Sequence, residues 1–189
     1  MSNILIEAFA AAALLLPAFL LLNLLYFHNW KQSALYFLFA LYLAAVYYFT
    51  GLPTVQFITF DVNLNLIPRD LFTKELVLSL LNVSMFVPLG FFLPLLWRKY
   101  RNLRSTALFG LGMTMAIELL QLLTYRATDV NDILTNFSGA LLGYGVFNLF
   151  RTCTVGSKRP RDIPLIFLTV GIVMFFIQPL MTSLFYKIT

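Results

Sequence analysis

Six apolar runs dominate the chain, at Ile4–Phe27, Ser33–Thr50, Glu75–Trp97, Ser105–Tyr125, Ile133–Phe150 and Ile163–Tyr186. Each is about 18 to 24 residues long, and about 20 residues of helix cross a hydrocarbon core of about 30 Å. Lipid offers no hydrogen bonds to a backbone, so a chain crossing it this way must satisfy its own peptide groups as a helix. The runs predict an all-α, polytopic membrane helix bundle of about six transmembrane helices. Charged residues make up 11% of the sequence, against about 25% in a soluble domain. So few charges cannot cover a water-exposed surface, and the 189 residues leave no room for a separate soluble domain. A single transmembrane domain, residues 1–189, is expected. The first run begins without Lys or Arg and exceeds the apolar core of a signal peptide, so it reads as a helix of the mature protein.

Several chemistries are excluded by the same scarcity. Cys153 is the one cysteine and His28 the one histidine. Internal disulfides and clusters of Cys or His ligands are ruled out, and the usual zinc combinations are missing. No metal and no cofactor are expected. The net charge of +5 fits basic loops that set topology better than it fits a nucleic-acid partner.

Those basic loops are 98–104, with Arg98, Lys99, Arg101 and Arg104, and 151–162, with Arg151, Lys158, Arg159 and Arg161. Lys31 marks the first connection. With six spans, all three loops lie on one side, which the positive-inside rule makes cytoplasmic. Both termini then face outward. His28 falls on the cytoplasmic side, away from the outer acids, so a Ser-His-Asp triad is not expected. Cys153 lies in a basic loop beside the membrane and reads as a free thiol.

The outer connections hold four of the eight acids: Asp61 and Asp70 in one, Asp129 and Asp132 in the other. The connection between the second and third helices, residues 51–74, is the longest. Phe60, Val62, Leu64 and Leu66 alternate with Asp61, Asn63 and Asn65, the period of an extended segment with one apolar face. Gly51 and Pro53 end the helix before it, and Pro68 ends the extended piece. Thr73 and Glu75 suit the start of the third helix.

The polar residues of the membrane runs cluster in pattern. Glu118 and Gln121, three apart, share a helix face. Asp129, Asp132, Asn136, Gly139 and Gly143 follow steps of three and four, one stripe down the fifth helix. Its Gly139-x-x-x-Gly143 end permits close helix contact. Asp129 and Asp132 also read as an N-cap with a first-turn acid. A Glu within a membrane helix is costly unless paired or wet, and marks a functional or coupling role. Arg126, two turns on, and Arg69, from the other outer loop, are its candidate partners. Asn82 in the third helix should face the bundle at a depth similar to Glu118, and Pro88, Gly90 and Pro94 predict kinks.

These residues resemble the VanZ-like family of bacterial membrane proteins, the teicoplanin-resistance protein family. The resemblance rests on Asn65-Leu-Ile-Pro68, Asn82-x-x-x-Phe86-x-Pro88-x-Gly90, Glu118-x-x-Gln121 and Arg126-x-x-Asp129-x-x-Asp132-Ile-x-x-Asn136-x-x-Gly139-x-x-x-Gly143, a motif core over 65–143. It implies a multi-pass protein of the bacterial cytoplasmic membrane, acting at the outer face near cell-wall precursors. It supplies no mechanism and no catalytic residues.

The first expectation is a binding or shielding protein. Asn65, Arg69, Asn82, Glu118, Gln121, Arg126, Asp129, Asp132 and Asn136 would form an outward polar pocket, with Pro88, Gly90, Gly139 and Gly143 packing the helices. Its ligand would be membrane lipid, a lipid-linked cell-wall precursor or a lipoglycopeptide, with lowered susceptibility to teicoplanin. The alternative is an enzyme on a lipid-linked envelope precursor, with Glu118 as general acid or base. A transporter or flippase is disfavoured because the inner halves of the helices are largely apolar.

Overall fold

The computed structural model describes residues 2–59, 64–65, 76–124, 126, 128–150 and 159–188. Side chains are described for 6–59, 76–124, 126, 128–150 and 159–184. Arg69, Asp61, Asp70, Pro68, Thr73, Glu75 and Cys153 lie outside the described residues, and Asn65 is described by its backbone alone.

The helices are α1 (Ser2–Leu22, continued by a π turn, Asn23–Phe27), α2 (Trp30–Phe49), α3 (Leu76–Leu96), α4 (Leu103–Gln121), α5 (Val130–Leu149), α6 (Asp162–Ile172, continued by a π turn, Val173–Ile177) and α7 (Gln178–Ile188). Five stretches are long and apolar enough to cross a membrane: Ile6–Phe27, Trp30–Phe49, Leu76–Leu96, Leu103–Gln121 and Asp162–Leu184. The protein is a multi-pass membrane protein. α5 has 20 residues but is not one of these five, because Asn131, Asp132, Thr135, Asn136 and Ser138 interrupt its apolar sequence.

Two compact units divide the chain: Met1–Ile58 with Arg161–Thr189, and Thr59–Pro160. In the first unit, α1 turns into α2 through short polar side chains. His28 adopts a left-handed φ of 52°, and its N–H reaches the Asn23 carbonyl at 2.9 Å. Asn23 Oδ1 accepts the Asn29 amide at 3.0 Å, while Asn29 caps α2 by accepting the Gln32 amide at 3.2 Å. At the far end Thr50 Oγ1 donates to the Val46 carbonyl at 2.7 Å, and Gly51 takes a φ of 62°, the conformation that glycine adopts without steric cost. Buried Asp162 accepts the Tyr36 hydroxyl at 2.6 Å, joining α6 to α2. Leu15, Phe39, Ala40 and Ile166 are fully buried in the same unit.

In the second unit α3 and α5 run parallel, with α4 antiparallel to α5. The close approach of α3 and α5 depends on glycine at three positions. A Cβ on Gly139 would strike the Val83 carbonyl oxygen, one on Gly143 the Val87 carbonyl oxygen, and one on Gly90 the Ala140 carbonyl oxygen. Gly90 thus serves contact with α5, and α3 continues as helix through Pro88 and Pro94. Asn102 caps α4 by accepting the Ser105 amide at 2.8 Å. Tyr144 fastens α5 to the turn before α4, donating to the Arg101 carbonyl at 3.0 Å.

The extended connection expected between the second and third helices is described in part. Leu64–Asn65 (β1) is extended and pairs in parallel with Thr128–Asp129 (β2), Leu64 opposite Thr128 and Asn65 opposite Asp129. β1 leads toward α3 and β2 into α5, so two parallel strands precede two parallel helices. The period-two pattern identifies the extended segment, but its partner strand is two residues at the mouth of a helix, too short to show a pattern of its own.

Candidate functional site

Glu118 is 3% exposed near the end of α4. Its Oε2 accepts the Asp129 backbone N–H at 3.0 Å. Its own carbonyl accepts the Thr128 hydroxyl, also at 3.0 Å. One residue of α4 therefore fixes both residues of β2. A carboxylate has room for further donors at its second oxygen. Among the described residues, Asp132, Asp129 and Arg126 are the charged groups that act on it.

The fourth helix ends earlier than its apolar run. α4 stops at Gln121, where Leu123 N–H bonds to the Leu120 carbonyl, Thr124 N–H bonds to the Gln121 carbonyl at 2.9 Å, and Thr124 Oγ1 bonds to the same carbonyl at 2.9 Å. Arg126 therefore does not share a helix face with Glu118. It is exposed, and its amide donates to Thr124 Oγ1 at 3.3 Å. The expected fold-back of Arg126 along α4 is replaced by a backbone amide as the direct partner of Glu118. Ser and Thr bond readily to nearby backbone, and Thr124 provides the local alternative to continued helix.

Asp129 is the N-cap of α5, accepting the Asn131 amide at 2.8 Å. Its side chain holds the helix start while its amide holds Glu118. Asp132, in the first turn, accepts the Asn82 side-chain amide at 2.7 Å. One turn deeper, Asn136 is 2% exposed and its Nδ2 donates to Thr114 Oγ1 at 3.1 Å. Among the described residues, buried Asn136 Oδ1 has no hydrogen-bond partner. Gln121, 3% exposed, lies beside Glu118 on the same face.

The polar residues thus form two ladders on α5: one to α3 through Asn82 and Asp132, the other to α4 through Glu118–Asp129 and Asn136–Thr114. Asn82, Glu118, Asp129, Asp132 and Asn136 come together by these bonds. Thr114 was not singled out by sequence. Gly110, Thr114, Glu118 and Gln121 follow steps of four, four and three, so one α4 face carries them all. That stripe was readable, but a lone Thr in an apolar helix commonly bonds its own backbone. Thr128 has no sequence signal, because its role depends on where β2 lies. Among the described residues no group of three or more His, Cys, Asp or Glu side chains could hold a metal.

No curated protein and no solved structure matches the chain. The VanZ/LLP1 family model matches residues 39–151, which is more than half of the 189 residues. The match takes in every described member of the two ladders, begins within α2 and leaves α6 and α7 outside. The chain belongs to the VanZ/LLP1 family.

Proposed function

We propose that this protein binds the head group of an amphiphile at the Glu118 end of its second unit, and that the ligand is a lipid-linked cell-wall precursor or a lipoglycopeptide. The observation that carries the reading is the burial of Glu118 in a membrane-type helix, held by a backbone amide and, among the described residues, by no hydrogen bond from a cationic side chain. Such a group is costly in lipid and is kept where it serves a ligand or a coupled partner. The backbone bond fixes the carboxylate's position and leaves its charge to attract donors such as a precursor's hydroxyl, amide or ammonium groups. Arg126, exposed beside it, suits an anionic phosphate. Apolar helix faces suit the lipid tail. The basic loops, read by the positive-inside rule, support an outward-facing position for this end in a bacterial cytoplasmic membrane.

Expression in a teicoplanin-sensitive host tests the reading. Teicoplanin susceptibility should fall, with less effect on vancomycin, and Glu118→Gln at equal protein level should abolish the change. Unaltered susceptibility to both drugs, with no precursor copurifying, would count against it.

A second reading is favoured by the fixed Glu118 carboxylate. An acid held in place with one oxygen free to take or give a proton is the geometry of a general acid or base on a lipid-linked envelope precursor. Mass spectrometry of labelled precursor incubated with the protein separates the two, since only this reading produces a new lipid.

A further inference from the structure

The unit formed by Met1–Ile58 and Arg161–Thr189 contains a cavity of about 270 Å³ between α1, α2, the π turn after α6 and the start of α7. Alanine makes the space: Ala8, Ala11 and Ala12 from α1 face Ala44 and Ala45 from α2. Ala11, Ala44 and Met174 form a buried floor, while Tyr48 and Phe49 form an exposed rim. An apolar cavity of about 150 Å³ stays dry and accepts a benzene-sized guest. This one is larger, and its open rim admits a chain from the surrounding lipid.

Its lining is almost wholly apolar, and the small polar patch that Glu7 and Gln178 add distinguishes it from a packing defect. Glu7 and Gln178 both line it. The Gln178 amide donates to Glu7 Oε2, and Gln178 is 6% exposed. A neutral amide bonds the carboxylate without balancing its charge. Among the described residues lining the cavity there is no Lys, Arg or His. Glu7 and Gln178 retain acceptor capacity at Glu7 Oε1 and Gln178 Oε1. An ionisable side chain at the edge of a membrane span calls for a partner, and with no cation among the described residues lining this cavity, a ligand cation that donates hydrogen bonds fits that role.

We propose that this cavity binds a long-chain primary amine, its alkyl chain between the alanines of α1 and α2 and its ammonium on Glu7. The chain replaces lipid contact with a fitted apolar wall. The ammonium supplies the charge and donors that Gln178 cannot. This site lies in a different unit from the Glu118 ladders.

The test uses the full chain in nanodiscs of phosphatidylcholine and phosphatidylglycerol, lipids without a primary amine. A photoreactive dodecylamine is cross-linked and its position mapped by peptide mass spectrometry. Labels should fall within 8–12 and 41–49. Unlabelled dodecylamine should displace the probe about tenfold better than dodecyltrimethylammonium, which has the charge but no N–H, the loss expected for one charge-assisted bond. Dodecanoate should displace it least. Glu7→Gln, which keeps the shape and a bond to Gln178, should erase the preference, and Ala44→Leu should reduce capture by filling the floor. If Ala44→Leu does not fold, Ala12→Leu at the half-buried wall serves. Equal displacement by all three amphiphiles, labels elsewhere, or an unchanged preference in Glu7→Gln each overturns the proposal.

Discussion

Asn82 on α3 and Asp132 on α5 meet at 2.7 Å, amide to carboxylate, across the helix pair that glycine brings closest together. The bond ties the first turn of α5 to α3 next to the Glu118 carboxylate, so it bears on both packing and the candidate site. Asn82→Leu removes a donor from a part-buried carboxylate and should destabilise the protein by about 1.5 to 3 kcal/mol. Asn82→Asp places two carboxylates together and should cost more. Thermal unfolding in detergent measures both, and a variant as stable as wild type would remove the bond from the account of this interface.

Glycine substitutions separate contact from propensity. Gly90→Ala, Gly139→Ala and Gly143→Ala each drive a methyl into a backbone carbonyl of the facing helix, which cannot rotate away. Each should cost about 1 to 3 kcal/mol or more through forced backbone shifts. Gly145, with nothing within 4 Å of an added Cβ, is the control. Gly145→Ala should stabilise the helix by about 0.5 to 1 kcal/mol. Unfolding midpoints of the four variants should therefore split in sign.

Glu118→Gln and Glu118→Leu test which part of the carboxylate matters. Gln keeps an acceptor for the Asp129 amide, and its fold should remain near wild type. Leu leaves that amide without its acceptor, at a cost of about 1 to 3 kcal/mol. Function should fail in both variants. A fully active Glu118→Gln would leave the charge without a role and confine Glu118 to structure.

Asp129→Ala should cost about 1 kcal/mol as a lost N-cap, while Asp129→Asn should be nearly neutral because asparagine caps as well. The backbone amide that Glu118 accepts survives either change. Hydrogen exchange at the start of α5 should report fraying for Ala alone.

Topology is accessible through Cys153, the one cysteine. The basic connections predict that it faces the cytoplasm. A membrane-impermeant maleimide should leave it unlabelled in intact cells and label it after permeabilisation. Labelling in intact cells would invert the bundle and move the Glu118 end to the cytoplasm.

Much of the fold was legible because each helix carries its signal locally. Ile4–Phe27 against Ser2–Phe27, Glu75–Trp97 against Leu76–Leu96 and Ile133–Phe150 against Val130–Leu149 differ by three residues or fewer at either end. The fourth run misleads at its end, since Leu122 and Leu123 continue the apolar pattern through the turn that Thr124 helps to close. The spacing of Asp129, Asp132, Asn136, Gly139 and Gly143 placed a polar and small-residue stripe on one face of α5. It could not say that the stripe serves two neighbours, Asp132 reaching α3 and Asn136 reaching α4.

The sequence by itself determined that this chain crosses a membrane as helices, which residues are polar there and at what spacing, because hydropathy and helical period are properties of neighbours along the chain. Only the tertiary structure decided their partners. It gave Glu118 the amide of Asp129 in place of the Arg126 side chain, Asn136 the hydroxyl of Thr114, and Glu7 the amide of Gln178 from the far end of the chain. Buried polar groups take whichever donor or acceptor packing brings within about 3 Å, and that choice is made between helices that are distant in sequence.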